Sequence, residues 1–241
     1  MFHHQSIHVF VLIYVDDILV YSNSSSTVLG LIHYLQHNFP VKDLGPLPYF
    51  LGIQASRQLH ALYLTQSKYV TNLLRRTHMD GAKPTSTPCS TARKLSRFDG
   101  DPLSDPSEYR HIVGALQYCT LTRPDIAYSV NQLFQLLHSP TTIHMVAAKR
   151  VLRYLKGTLD FGLHYTSGSL QLNGYCDSDW AGSPDDRKST TGYGIYLGSC
   201  LISWAAKKQS VVAKSSTEAE YLSMALAFAE MYWIRMLFKE L

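Results

Sequence analysis

Cysteine is scarce in this chain, and the four present, Cys89, Cys119, Cys176 and Cys200, stand far apart. There is no Cys-x-x-Cys pair and no dense framework, which argues against a thiolate metal site or a disulfide scaffold and fits reduced, intracellular thiols. Charge is also sparse: charged residues are 17% of the sequence against 46% hydrophobic ones, the balance of a globular protein rather than a disordered one. The formal net charge of +4 permits a nucleic-acid partner without requiring one. Long apolar runs are lacking too. The best candidate, residues 8–21, is cut by Asp16 and Asp17, is too short to span a bilayer, and has no Lys or Arg before it, so neither a membrane segment nor a signal peptide is expected. His3, His4 and His8 are scattered histidines near a terminus, not a ligand set. With 241 residues, one large or two small domains can be built.

What is present is most informative at Asp16 and Asp17. β-Branched and aromatic residues flank them, His8-Val9-Phe10-Val11-Leu12-Ile13-Tyr14-Val15 before and Ile18-Leu19-Val20-Tyr21 after, which predicts two strands with Asp16-Asp17 as a two-residue hairpin loop. Such loops favour Asn-Gly, Asp-Gly or Gly-Gly because the backbone must reach positive φ, so an Asp-Asp tip is selected by something other than turning. Adjacent carboxylates repel unless a hard cation lies between them, and Mg2+ held by carboxylates and substrate phosphates is the common solution, as in two-metal phosphoryl transfer. The alternative is a surface turn with two solvated acids.

Beyond the hairpin, Val28, Leu29, Leu31, Ile32, Tyr34 and Leu35 have helical spacing, and Gly45-Pro46-Leu47-Pro48 ends any helix. Residues 49–53 and 59–64 alternate as a second hairpin, followed by an amphipathic helix over 65–76 capped by Thr65 or Ser67. Residues 81–104, rich in Pro, Ser, Thr and Gly, predict a linker and a domain boundary. Three helices follow: one capped by Asp105 with Pro106 as its first residue and running to about Thr120, and two more starting at Pro124 and, after Ser139, at Pro140. In the third, Lys149, Arg153 and Lys156 form a basic stripe that could track a phosphate backbone or simply face solvent, beside an apolar stripe of Ala148, Val151, Leu152 and Leu155.

The last segment predicts a second acidic site. Alternation over residues 170–177 puts Asp177 on the polar side of a strand, strands follow near 191–198 and 201–205, and a long helix starts near Thr217. Taking Leu222, Ala225, Leu226, Ala229, Trp233, Met236 and Leu237 as the sheet-facing stripe places Glu218 in its first turn and turns Glu220 roughly 200° away. Glu218 is then the carboxylate that could meet Asp177. Ser215-x-x-Glu218 is equally a capping box, and Thr217-x-x-Glu220 a second one.

Taken in order, these residues resemble the Pol polyproteins of Ty1/copia retrotransposons. Tyr14-Val15-Asp16-Asp17 looks like the catalytic hairpin of reverse transcriptases, with Lys42-Asp43-Leu44-Gly45 and Tyr49-Phe50-Leu51-Gly52-Ile53 after it. Tyr109-Arg110, Val113-Gly114-Ala115-Leu116-Gln117-Tyr118, Thr122-Arg123-Pro124-Asp125-Ile126 and residues 150–158 resemble the connecting region. Asp177-Ser178-Asp179-Trp180-Ala181-Gly182, residues 187–192, Ile202-Ser203-Trp204 and residues 215–221 resemble its ribonuclease H part. The resemblance implies an α+β chain: a partial palm and start of thumb over 1–80, a linker over 81–104, a helical thumb or connection over 105–166, and a truncated ribonuclease H-like α/β domain over 167–241. It implies Mg2+, two ions per site, with Asp16 and Asp17 in one site and Asp177 (or Asp179) and Glu218 in the other, and template-primer and RNA–DNA hybrid as partners. It also implies ligands that this sequence does not contain, an aspartate before the hairpin and two further acids after the final helix, so the expectation is a chain incomplete for catalysis on its own. The alternative is a non-catalytic element remnant, at most a nucleic-acid-binding module using Lys149, Arg153, Lys156, Lys207, Lys208 and Lys214.

Overall fold

The structure, a computed structural model, describes residues 7–47, 49–90 and 94–240; His3, His4 and Pro48 lie outside them. The chain divides into two compact units, Met1–Pro48 and Tyr49–Leu241.

In the first unit β1 (Val9–Tyr14) and β2 (Asp17–Ser22) form an antiparallel hairpin paired from Val9 opposite Ser22 to Tyr14 opposite Asp17. α1 (Ser25–Asn38) follows, started by Ser24, whose hydroxyl accepts from the Thr27 amide. The predicted hairpin is present with its loop shifted by one residue. The loop is Val15-Asp16, and Asp17 is the first paired residue of β2, because the ladder continues to the Tyr14 and Asp17 pair.

The second unit mixes helix and sheet, the α+β arrangement expected. β3 (Tyr49–Phe50), β4 (Ile53–Gln58), β5 (Ala61–Thr65) and β6 (Gly162–Thr166) make an antiparallel sheet in that order. β6 reaches β5 only after a helical excursion through α2 (Ser67–Arg76), α3 (Ser107–Cys119), a 3-10 turn (Pro124–Ile126), α4 (Ala127–Phe134) and α5 (Thr142–Gly157). Glycine at 162 is required by this pairing: a Cβ there would fall 2.2 Å from the Leu64 carbonyl oxygen. The helices enclose the main core, in which Val70, Leu73, Ile112, Val113, Leu116, Val130, Leu133, Val151, Leu152 and Leu155 are buried. Each such side chain is worth about 1.5–3 kcal/mol relative to exposure.

Helix starts differ from expectation by a residue or two. α2 begins after Gln66, and Ser67 instead donates to the Leu159 carbonyl. α3 begins after Pro106, with Asp105 accepting from the Ser107 amide. α5 begins after Thr141, whose amide donates to His144 Nδ1 at 3.0 Å, and not at Pro140. Residues 81–104 do not separate compact units. Main-chain groups supply carbonyl acceptors whatever the side chains, and here they dock the segment against α5: Arg153 donates to the Lys83 carbonyl, Arg150 to Thr87, and His144 Nε2 bonds the Ser96 carbonyl.

A second sheet, β7 (Leu172–Asp179), β8 (Thr190–Leu197) and β9 (Cys200–Lys208), is an antiparallel meander carrying α6 (Ser216–Glu240) on one face. The helix face that meets the sheet is not the Leu/Trp/Met stripe. Ala219, Ser223, Ala227 and Ile234 are buried, while Trp233, Phe228 and Tyr232 are exposed. Gly174 leaves room on the strand for a bulky helix residue: a Cβ there would lie 2.4 Å from Met231 Sδ.

Candidate functional site

Asp16 and Asp17 are both exposed at the hairpin tip, the first in the loop and the second at the start of β2. The positive φ that a two-residue loop needs falls on Val15, at +49° and 81% exposed. A β-branched residue in that region is strained by about 1–3 kcal/mol, so the turn holding the two acids is conformationally costly.

The second group of acids is in the other unit. Along β7, Gly174 and Ser178 face α6: the first abuts Met231, and the second accepts from Gln209 Nε2, which also donates to the Ala219 carbonyl. Strand alternation therefore points Asp177 and Asp179 to the opposite face, where they line a cavity of about 270 Å3 with Ala127, Tyr128 and Trp204. Asp179 is engaged there. Lys94 Nζ lies 3.0 and 3.1 Å from its two oxygens. Burial, then the Asp179 charge, raises the Tyr128 phenol above its ordinary value.

Glu218, the acid expected to meet Asp177, is engaged at the start of α6. Ser215 Oγ accepts from the Glu218 amide, and Glu218 Oε2 accepts from the Lys214 amide at 2.6 Å, so this acid caps the helix start. The contact from α6 to β7 at this level is Ser223 Oγ donating to the Asp177 carbonyl, 2.6 Å. Glu218 is turned about 140° from Ser223 on the helix and Glu220 only about 60°. By helical angle Glu220 lies nearer the Ser223 side than Glu218 does, although both acids are exposed.

Of the expected basic contacts, Arg153 donates to the Lys83 carbonyl and Lys156 to the carbonyls of Asp80 and Ala82. Lys149 is half-buried on α5. Lys208 pairs with Asp186 at 2.9 Å, while Lys207 and Lys214 are exposed. Among the described residues no three His, Cys, Asp or Glu side chains come together in a way that could hold a metal ion. Asp16 with Asp17, and Asp177 with Asp179, stand as twos, and Lys94 already neutralises Asp179. These residues do not by themselves fit a two-ion magnesium centre.

Sequence reasoning missed the most tightly built polar group. Arg123, 2% exposed, donates from Nε and Nη2 to both Asp125 oxygens at 2.9 and 2.7 Å, and from Nη1 and Nη2 to the Thr158 carbonyl and hydroxyl at 2.9 and 2.6 Å. The Tyr154 hydroxyl adds a 2.7 Å bond to Asp125, and the guanidinium lies over the Tyr154 and Phe161 rings. Burial pushes the Asp125 carboxyl up, but the hydrogen bonds and charge of Arg123 outweigh it and hold the carboxyl below its usual range. The signal available was the Arg-Pro-Asp triplet, whose partners lie 29 to 35 residues downstream and have no local periodicity.

The family described as Reverse transcriptase (RNA-dependent DNA polymerase) matches residues 1–91, a stretch that contains the hairpin. Over 97% of its length the chain is 50% identical to the retrovirus-related Pol polyprotein from transposon RE1 of Arabidopsis thaliana and 38% identical to that from transposon TNT 1-94 of Nicotiana tabacum. It covers 16% and 18% of those two polyproteins. It is also 47% identical to an uncharacterized mitochondrial protein of Arabidopsis thaliana, over 93% of each chain. Hairpin and matches together define the class, a reverse-transcriptase-bearing Pol segment of a retroelement. Within that class, the chain belongs to the Ty1/copia-type retrotransposon Pol family.

Proposed function

We propose that this chain serves RNA-directed DNA synthesis and RNA–DNA hybrid cleavage as part of a longer Pol protein. The observation that carries the reading is the paired hairpin with Asp16 and Asp17 at its tip inside the reverse-transcriptase match: the two acids would face the primer end of a template-primer. The β7–β9 meander with α6 would act as the ribonuclease H-like portion, with Asp177 presented to the hybrid and Glu220 as the helix acid nearer the Ser223 side. Divalent magnesium is the group the family chemistry calls for, and the ligands in this chain are too few to hold two ions. The chain's own contribution is to present carboxylates on fixed strands, and the remaining ligands come from other segments.

The test is primer extension and hybrid cleavage in Mg2+, with the isolated chain beside a longer Pol protein. The isolated chain should be silent, and the longer protein should lose extension with Asp16→Asn and cleavage with Asp177→Asn. Activity in the isolated chain would overturn the incompleteness. A second reading, a binding module without catalysis, is favoured by the lack of any three-ligand cluster among the described residues. Salt-dependent hybrid binding by the chain, with a longer protein that also fails to react, would select it.

A further inference from the structure

The segment between α2 and α3 touches both groups that a polynucleotide complex would use. At one end, the carbonyls of Asp80, Ala82, Lys83 and Thr87 accept from Lys156, Arg153 and Arg150, so main-chain oxygens occupy the donors on the basic face of α5. At the other end, the Lys94 ammonium chelates both oxygens of Asp179, two residues along the strand from Asp177 and on the same face. Ser96 Oγ and the Arg97 amide then bind the two oxygens of Asp185, at 2.5 and 3.0 Å, and the Arg97 guanidinium lies 3.5 Å away. These bonds and the Arg97 charge outweigh burial and hold the Asp185 carboxyl below its usual range.

We infer that the stretches 80–87 and 94–99 form an autoinhibitory strap, its carbonyl oxygens standing in for phosphates and its Lys94 ammonium for a cation, which RNA–DNA hybrid displaces on binding. This rests on the proposed function, since it is the hybrid that competes. The geometry suits exchange. The Lys94 and Asp179 side chains are 53% and 33% exposed, so the ion pair is screened by water and breaks readily. On α5 the displaced acceptors have a stronger replacement, anionic phosphate oxygens for neutral carbonyls against the same Arg150, Arg153 and Lys156.

The experiment measures hybrid binding by the full chain in 5 mM-scale Mg2+, roughly physiological ionic strength, by fluorescence anisotropy of a labelled hybrid, for wild type, Lys94→Met, and a Lys94→Met/Ser96→Ala/Arg97→Ala variant. An exposed pair is worth up to about 1 kcal/mol, so Lys94→Met should tighten binding up to about fivefold and the triple variant about tenfold. Hydrogen exchange at the Arg97 amide, protected by Asp185 in the resting chain, should accelerate when hybrid is added. Equal affinity for all three proteins, or an Arg97 amide whose protection is unchanged by bound hybrid, would overturn the strap while leaving the functional reading intact. If none of the three binds hybrid at any salt concentration, the functional reading falls and the strap with it.

Discussion

Replacing Arg123 with Met tests the polar centre of the larger unit. The substitution keeps an unbranched apolar stem but removes five hydrogen bonds, three to Asp125 and two to Thr158. Asp125 is then left with the Tyr154 hydroxyl and no counter-charge, and the Thr158 carbonyl loses its guanidinium donor. Breaking a buried pair by removing one partner costs about 3–5 kcal/mol. The Asp125 side chain is still 31% exposed, so water offsets part of that loss and the expected cost is about 2–4 kcal/mol. At a urea m-value of about 2 kcal/mol/M this lowers the unfolding midpoint by roughly 1–2 M. Tryptophan fluorescence reads it out, because Trp204 Nε1 donates to the Thr120 carbonyl and reports the contact between the helices and the second sheet. Asp125→Asn in the Arg123→Met background removes the stranded charge and should recover part of the loss, a coupling that a double-mutant cycle isolates. A midpoint for Arg123→Met within about 0.3 M of wild type would refute the reasoning.

Acid should unfold the larger unit in a defined window. Burial raises the Asp186 carboxyl, but hydrogen bonds from Ser183 and Lys208, the Lys188 amide and the Lys208 charge outweigh it and bring it to about 2. Asp125 and Asp185 are shifted the same way. A depressed folded-state value means the ionised form favours the fold, so this contribution is complete above about pH 4 and is lost as pH falls toward 2. Thermal midpoints that stay flat from pH 5 to about pH 2 would contradict it. Gly162→Ala drives a methyl into the Leu64 carbonyl and should destabilise by about 1–3 kcal/mol or more, seen as lost amide protection along β5 and β6. Glu218→Ala should cost about 1 kcal/mol through the lost cap while leaving hybrid cleavage by a longer Pol protein unchanged. A cleavage defect with an intact fold would return Glu218 to the site.

Local signals were legible because each depends on neighbours in the sequence. The apolar runs around Asp16 and Asp17 predict the hairpin, and α1 and the β7 to β9 meander follow from spacing and alternation. What failed depends on residues meeting across the fold. Hydrophobicity alone chose the wrong face of α6: the side chains buried on the sheet are Ala219, Ser223, Ala227 and Ile234, with Met231 seated over Gly174, where a Cβ would clash. The same stripe set which of Glu218 and Glu220 was expected to face the sheet, and the observed face puts Glu220 nearer to Ser223. Residues 81–104 read as a linker because side-chain composition says nothing of where backbone carbonyls go, and here they go to Arg150, Arg153 and Lys156. The hairpin loop moved by one residue because strand pairing to Asp17 prevailed over turn preference, leaving the strain on Val15.

The central claim, that the hairpin acids take part in polymer synthesis, is tested most directly by primer extension. A Pol protein containing this segment is assayed on an RNA template with Asp16→Asn and Asp17→Asn introduced together. Extension should fall by about three orders of magnitude or more with template-primer binding retained, the signature of a lost reaction step rather than lost affinity. Extension within about tenfold of the unaltered protein would contradict the account.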